Sequence, residues 1–471
     1  MVSSSTGDAF SRKLRSSVGT TAPRILLTAT LRWPIAARLT VVFAKLGCCV
    51  EAICPRQHPV TKTYAIRRIY PYAALKPLTS LRKAIESAAP DLIIPCDDNA
   101  ALHLYQLYVH AGKADPSANR LRDLIARSLG TPEACVLVTV RGRLMALAAA
   151  EGVRVPESAI VTTPSDLSAW LTQHRFPAVI KVDGTWGGQG VSMVRNHEEA
   201  QGAFTLKASR PGIVNAMART VLDRDPSTLL DALMDARPSI TVQGFVQGAP
   251  ANRAVACWQG RVLAGISVEV IRTQHPTGPA TVVRVIENPA MSEAANRLVR
   301  RLGISGLWGF DFVLEASTGA AYLIEVNPRA TPICHLPLGA GRDLPVALYT
   351  QLAGMPPFAP PTMIDHDVVA MFPGEWRRNP ASQYLRTNYH DVPWDEPGLV
   401  EDCLDRPWSE RGLVARLWAR VRPKPFMPPT QEKEPAGDPT DVDDALVNLT
   451  LSKLEKSRTS THAHEETTVV R

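Results

Sequence analysis

The sequence predicts an α/β fold that passes into α+β: an open parallel α/β domain first, a larger mixed domain next, and a small C-terminal extension last. Three observations carry this reading. From Arg24 onward, short apolar strands alternate with helical patterns, as in RILLTA, PIAARLTVVFAKLG and CCVEAIC. The strand DLIIP is apolar at nearly every position, as expected where a parallel sheet is covered on both faces. Beyond Phe176, strands follow one another through loops and tight turns, as in FPAVIKVDGTWGGQGVSMVRN and GLWGFDFVLEASTGAAYLIEVNPR.

Taken in order, Met1 to Pro23 is rich in Ser, Thr and basic residues and lacks the apolar centre of a secretory signal, so 1–23 reads as a disordered tail, with a composition that a transit peptide shares. In the domain over 24–130, the helix after RILLTA has Pro34 in its first turn and Gly47 just past its end, as helix punctuation requires. A helix around Leu81 to Ala88 leads into DLIIP. Asp97 and Asp98 follow this strand at its carboxyl end, where open α/β sheets bind ligands, but the pair also reads as a helix N-cap, which is the preferred reading.

The larger domain spans 131–354. RGRLMALAAAEGVRVP is a helix ended by Gly152; strand AIVT and a helix from Ser165 follow. Residues 201–238 read as mainly helical, and after them come strands ITVQGFVQG, RVLAGISVEVI and TVVRVIE and a helix at Ser292 to Leu302. MPPFAPPT at 355–362 reads as a proline-stiffened linker opening an extension over 355–429. From 430 to 471 the chain is polar and charged with few aromatics, which predicts disorder. In SERGLVARLWARVRPKPF, Leu413, Val414, Leu417, Trp418 and Val421 fall at helical spacing among arginines, predicting a helix that either binds an acidic partner or membrane surface or, as preferred, packs its apolar stripe on its own domain.

Composition narrows the function. The chain has 471 residues, 45% apolar and 21% charged, and no apolar stretch reaches the roughly 20 residues that span a bilayer. A net charge of +7 suits an anionic ligand, but no concentrated basic patch with interleaved aromatics points to nucleic acid. The eight cysteines show no CxxC pair and lie mostly in apolar runs, so they read as reduced, buried thiols of a cytoplasmic protein. The first strand runs into TATLRWP without G-x-G-x-x-G, which argues against a dinucleotide cofactor.

Two segments carry chemistry. In VIKVDGTWGGQGV, glycines follow a strand ending in Lys181; without a Cβ, their N–H groups can approach phosphate oxygens closely, and lysine adds a compact cation. The same pattern also fits an ordinary glycine-rich hairpin. In GFDFVLEASTGAAYLIEVNPR, Asp311 and Glu325 sit on strands joined by a tight turn and can face one cleft, with Asn327 two residues on, on the same face, and Arg329 beyond. Hard oxygen ligands of this kind suit Mg²⁺, which leaves its other positions to water and phosphate.

The ordered set K-x-x-G-x-x-G-G-x-G-V, an aromatic-plus-valine hinge, and D-F…E-x-N-x-R resembles the ATP-grasp superfamily, and its E-x-N-x-R ending resembles biotin carboxylase and the carbamoyl-phosphate synthetase large chain. The resemblance covers roughly residues 24 to 354. It implies a pre-ATP-grasp Rossmann-like domain over 24–130 and a two-lobed ATP-grasp domain over 131–354, with its lid at about 178–247. It puts Lys181 on the α-phosphate of ATP and the backbone of Gly187, Gly188, Gln189 and Gly190 over the β and γ phosphates. Phe245 and Val246 match the hinge whose backbone reads adenine, and Asp311, Glu325 and Asn327 match the ligands of Mg²⁺, or of Mn²⁺ in its place. Arg329 matches the arginine that stabilises the carboxylate or acyl phosphate.

Three positions depart from the pattern. Arg141 stands where a second nucleotide lysine is usual, eleven residues before Gly152. Gly244 stands at a common hinge carboxylate, and Asn252 falls near the place of the ribose-binding glutamate. The implied activity is an ATP-dependent ligase acting on a small-molecule carboxylate and an amine, with a bicarbonate-activating enzyme and a non-catalytic nucleotide-binding module as alternatives; a homo-oligomer is compatible with it. Thr331 and His335, just after the metal strand, are expected to border the acceptor pocket, although a lone histidine in an apolar run such as this is more often a satisfied core residue.

Overall fold

The computed structural model describes residues 22–111, 116–131, 133–134, 140–182, 190–208, 239–275 and 278–404. The amphipathic segment from Ser409 and the glycines 184, 187 and 188 lie outside the described residues, as does Gln189.

Four parallel strands form the first sheet: β1 (Arg24–Thr28), β2 (Cys49–Cys54), β3 (Arg68–Pro71) and β4 (Leu92–Pro95), in the order β3-β2-β1-β4. Its helices are α1 (Ile35–Lys45), α2 (Pro77–Ala88), α3 (Asp98–His110) and α4 (Pro116–Leu129). The apolar centre of β1 and the whole of β4 are buried on both sides. Ile25, Leu27, Leu92 and Ile94 pack with Leu39 and Phe43 of α1, and Leu26 and Ile93 pack with Leu81, Ile85 and Leu104 of α2 and α3. β3 was not expected as a strand: it sits at the sheet edge, and Arg68, Ile69 and Pro71 are exposed, so it carries little apolar signal.

Helix α5 (Arg141–Ala150) leads to the second sheet, made of β5 (Ser158–Val161), β6 (Ala178–Val182), β7 (Val191–Val194) and β8 (Ile240–Gly244) in the order β5-β8-β6-β7. Helices α6 (Pro164–Gln173) and α7 (His197–Ala208) cover one face, burying Leu167, Leu171 and Phe204 on Ile180 and Val242. A capping box between Thr163 and Asp166 starts α6.

The third sheet has seven strands: β9 (Gly248–Trp258), β10 (Arg261–Thr273), β11 (Ala280–Ile286), β12 (Gly306–Glu315), β13 (Ala321–Asn327), β14 (Val368–Ala370) and β15 (Tyr389–His390), in the order β13-β12-β9-β10-β11-β14-β15. Helix α8 (Pro289–Leu302) packs Leu298 and Val299 on one face against Trp308, Phe310 and Phe312, all essentially buried. Each such side chain stabilises the fold by about 1.5–3 kcal/mol. Helix α9 (Leu344–Ala353) covers part of the opposite face through Leu344 and Leu348, beside the first domain.

The extension beyond 355 does not stand apart. β14 pairs with β11 and so lengthens this large sheet, and Phe372, Val392, Leu399 and Cys403 share a core with α1 and α9. Among the described residues the cysteines are all free thiols, and no helix is long and apolar enough to cross a membrane.

Candidate functional site

Three neighbouring strands place three polar side chains in one row. β9 pairs with β12 and β12 with β13, in a register that sets Asn252 opposite Asp311 and Asp311 opposite Glu325. Directly opposed residues of antiparallel strands point to the same face. The other face of β12 carries Trp308, Phe310 and Phe312 into the core, so Asp311 looks away from it into the cleft.

A bulge makes this row possible. Phe312 pairs with Leu323 and Asp311 with Glu325, which leaves Ile324 as an extra residue in β13. Leu323 and Val326 both enter the core, although strict alternation would forbid it. The extra residue resets the phase and turns Glu325 toward Asp311. The bulged Ile324 carbonyl then lies 3.4 Å from Nζ of Lys181.

The row is tied together by amides. Asn252 donates to one Asp311 oxygen at 2.5 Å and Asn327 donates to the other at 2.9 Å. Burial pushes the Asp311 carboxyl up, and the neighbouring Glu325 carboxylate adds to the shift; the amide donors and Arg329 oppose it. Asn252 Oδ1 is buried and has no hydrogen-bond partner among the described residues. Among those residues no three His, Cys, Asp or Glu side chains converge on one point. A divalent cation here would therefore rest on the two carboxylates and an amide oxygen, leaving the other positions to water and phosphate, as Mg²⁺ prefers. An orphaned, buried amide oxygen beside a carboxylate pair fits that need.

Two arginines converge on the row. Arg141, at the start of α5, donates to Glu325 Oε1 at 2.7 Å and to the Val182 carbonyl at 2.6 Å, joining β13 to the end of β6. Lys181 is buried beside it at the end of β6, and the Gly190 carbonyl accepts from Val182 N at 3.1 Å, closing the hairpin below the loop. Arg329 donates from Nη2 to Asn327 Oδ1 at 3.1 Å and from Nε to Asp98 Oδ2 at 2.7 Å. Burial works against its charge, but Asp98, Asp311 and Glu325 outweigh this and raise its pKa.

Phe245 and Val246 connect β8 to β9 and thus the second sheet to the third. Phe245 is half exposed at the edge of a cleft lined by Phe176, Pro177, Met193, Arg195 and Gln247. Asn252, expected near a ribose, lies instead against Asp311. Thr331 sits on the floor of the site: a Cβ on Gly309 would come within 2.2 Å of its methyl group, so only glycine leaves it room.

His335 has the surroundings of a satisfied core histidine. It does not border an open pocket but is buried, with Nε2 2.9 Å from Asp391, which also binds Arg38. An apolar setting holds such a histidine only if a partner satisfies it, and a residue of the C-terminal extension does so here.

Asp98 was also read differently. Asp97 is the true cap of α3, accepting from Ala100 N at 2.8 Å, and Asp98 is thereby left to reach Arg329. Trp33, whose ring lies 4.8 Å from the Arg329 guanidinium, carried no signal in the sequence.

Comparison with known proteins gives the same outline. A family model described as an ATP-grasp domain matches residues 146–332. The arginine-specific large chain of carbamoyl phosphate synthase from Geobacillus stearothermophilus is 26% identical over 217 residues, 45% of this chain and 19% of that one. The corresponding large chain from Caldanaerobacter subterraneus is 24% identical over 181 residues, 38% of this chain and 15% of that one. The chain thus matches less than a fifth of the length of these relatives. In structure, a biotin carboxylase from Campylobacter jejuni superposes with a TM-score of 0.50 at 15% identity, covering 72% of each chain. Carboxyaminoimidazole ribonucleotide synthase from Aspergillus clavatus does so with a TM-score of 0.50 at 15% identity, over 73% of this chain and 80% of that one. These likenesses concern the fold.

Proposed function

We propose that the chain is an ATP- and Mg²⁺-dependent ligase that activates a small-molecule carboxylate for attack by an amine, a reading that the match of residues 146–332 to an ATP-grasp domain model supports. One observation carries this reading: the register that brings Asn252, Asp311 and Glu325 into a single row, with Lys181 and Arg329 at its two sides.

Asp311 and Glu325 would hold the metal with an amide oxygen of Asn252 or Asn327. Mg²⁺ held there would supply positive charge to offset that of the phosphates. Lys181 offers an ammonium to the phosphates, and the cleft beside Phe245 offers apolar walls to the base. Arg329 presents a planar donor to the carboxylate. A carboxylate oxygen takes the γ-phosphoryl group and ADP leaves. The amine then attacks the acyl carbon and phosphate leaves, so no side chain need act as a covalent nucleophile. The protein's contribution is alignment and charge compensation.

The similarity to carbamoyl phosphate synthase large chains supports bicarbonate as the acid in a second reading. The free thiols support a reducing, cytoplasmic setting. The test is ADP release from ATP in the presence of separate pools of carboxylic acids with amines, of amino acids, and of bicarbonate. Stimulation by a carboxylic or amino acid, with a new product stoichiometric with ADP, is expected. Stimulation by bicarbonate alone selects the second reading, and no stimulation by any pool contradicts both.

A further inference from the structure

We propose that Asp98 of the first domain is a positioning residue for Arg329, so that the site for the activated carboxylate is built by the N-terminal domain as well as by the larger one. The proposal rests on the ligase reading for what Arg329 does, but its structural basis is independent of it.

Arg329 follows β13 on an irregular segment, and a long side chain on such a segment has several rotamers to choose from. Here every part of its head is engaged. Nε donates to Asp98 Oδ2 at 2.7 Å, Nη2 to Asn327 Oδ1 at 3.1 Å and Nη1 to the Ala330 carbonyl at 3.3 Å, while the Trp33 ring lies 4.8 Å from the guanidinium carbon. Of these four contacts only Asp98 supplies a full opposite charge. The Arg329 side chain is 12% exposed and that of Asp98 27%, so the pair is shielded enough for the charge to matter.

Asp98 is itself held firmly. Asp97 accepts from Thr30 N, Thr30 Oγ1, Leu31 N and Ala100 N, locking the start of α3 to the loop after β1 that also carries Trp33. A backbone bond from Ala330 N to the Pro95 carbonyl at 3.0 Å fastens the Arg329 segment to the end of β4. The carboxyl end of the first parallel sheet thus forms a socket of one carboxylate and one aromatic face, and Arg329 is seated in it. The pair uses only Nε and one Asp98 oxygen, and each Nη group spends one N–H on Ala330 or Asn327, so the arginine can be held and still offer the second N–H of each Nη to an anion.

The experiment compares the full chain with Asp98→Asn and Asp98→Glu by two readouts. The first is the rate at which phenylglyoxal modifies Arg329, followed on its peptide by mass spectrometry. The second is ATP formation from MgADP with acetyl phosphate as the acyl-phosphate probe, alongside the thermal shift caused by MgATP. Asp98→Asn should speed the modification of Arg329 several-fold and raise the KM for acetyl phosphate about tenfold, while leaving the MgATP shift intact; Asp98→Glu should recover most of both losses. Unchanged labelling of Arg329 would overturn the proposal, and so would faster labelling with an unchanged KM. A wild-type chain that makes no ATP and shows no MgATP shift would instead refute the ligase reading, and the labelling rates would still decide whether Asp98 holds Arg329.

Discussion

Arg141 Nη2 lies 2.7 Å from Glu325 Oε1, so the arginine that opens α5 neutralises one of the two carboxylates of the candidate metal site. Asp311 is the direct cross-strand neighbour of Glu325, and two carboxylates this close repel each other without a cation.

Removing that cation should therefore cost stability. Arg141→Met leaves Glu325 beside Asp311 uncompensated, and since the Glu325 side chain is 34% exposed, the loss should be about 1–3 kcal/mol, below that of a fully buried pair. Arg141→Lys keeps the charge but cannot reach Glu325 and the Val182 carbonyl with one planar fork, so it should lose less. Urea unfolding of the three proteins checks the order, and equal midpoints would contradict it.

Lys181→Ala should weaken MgATP binding by about 1.5–3 kcal/mol, the usual loss for a charged hydrogen bond, or roughly ten- to a hundredfold in Kd. Calorimetric titration measures this directly. An unchanged affinity would place the phosphates away from β6.

Stability should fall on acidification through buried histidines. Burial, with Arg32 adding to it, pushes His58 down to about 3, and burial pushes His390 down to about 4. Their folded pKa values lie below the unfolded value of about 6.5, so below that pH the unfolded chain binds protons that the folded chain refuses. Their contribution is complete above about pH 6.5 and is lost as pH falls toward about 4, by about 1.4 kcal/mol per pH unit for each histidine. Denaturation at pH 7.5 and 5.5 should show the drop, and His58→Gln should flatten it. A stability independent of pH across this range would contradict the assignment.

What the sequence made legible follows from where its signals are local. β1, β4, β6, β12 and β13 are largely apolar runs bounded by turn residues, so each is legible as a strand from its own residues. The first half of β9, GAPAN, reads as a breaker, with Pro250 in what proved to be a strand between two partners. That strand carries Asn252, so the row of three polar residues was visible only as the pair Asp311 and Glu325. The bulge at Ile324 leaves no mark in composition. Asp98 and Trp33 lie more than 200 residues from Arg329, and only the docking of the first sheet on the third brings them to it. The partner of His335, Asp391, is likewise distant in sequence, in the C-terminal extension, so the pair leaves no local mark.

The most direct measurement concerns the carboxylates themselves. Asp311→Asn and Glu325→Gln keep size and shape but remove the charge that a divalent cation requires. Each should be compared with the unaltered chain for thermal transition with and without MgATP, and for ADP formation. Without nucleotide, the transition should move little or rise slightly, because the repulsion between the two carboxylates is relieved. The MgATP-induced stabilisation should be largely lost, and ADP formation should fall by orders of magnitude. Variants that keep the full MgATP-induced stabilisation and normal turnover would contradict the metal site, and with it the account of this chain as an ATP-dependent ligase.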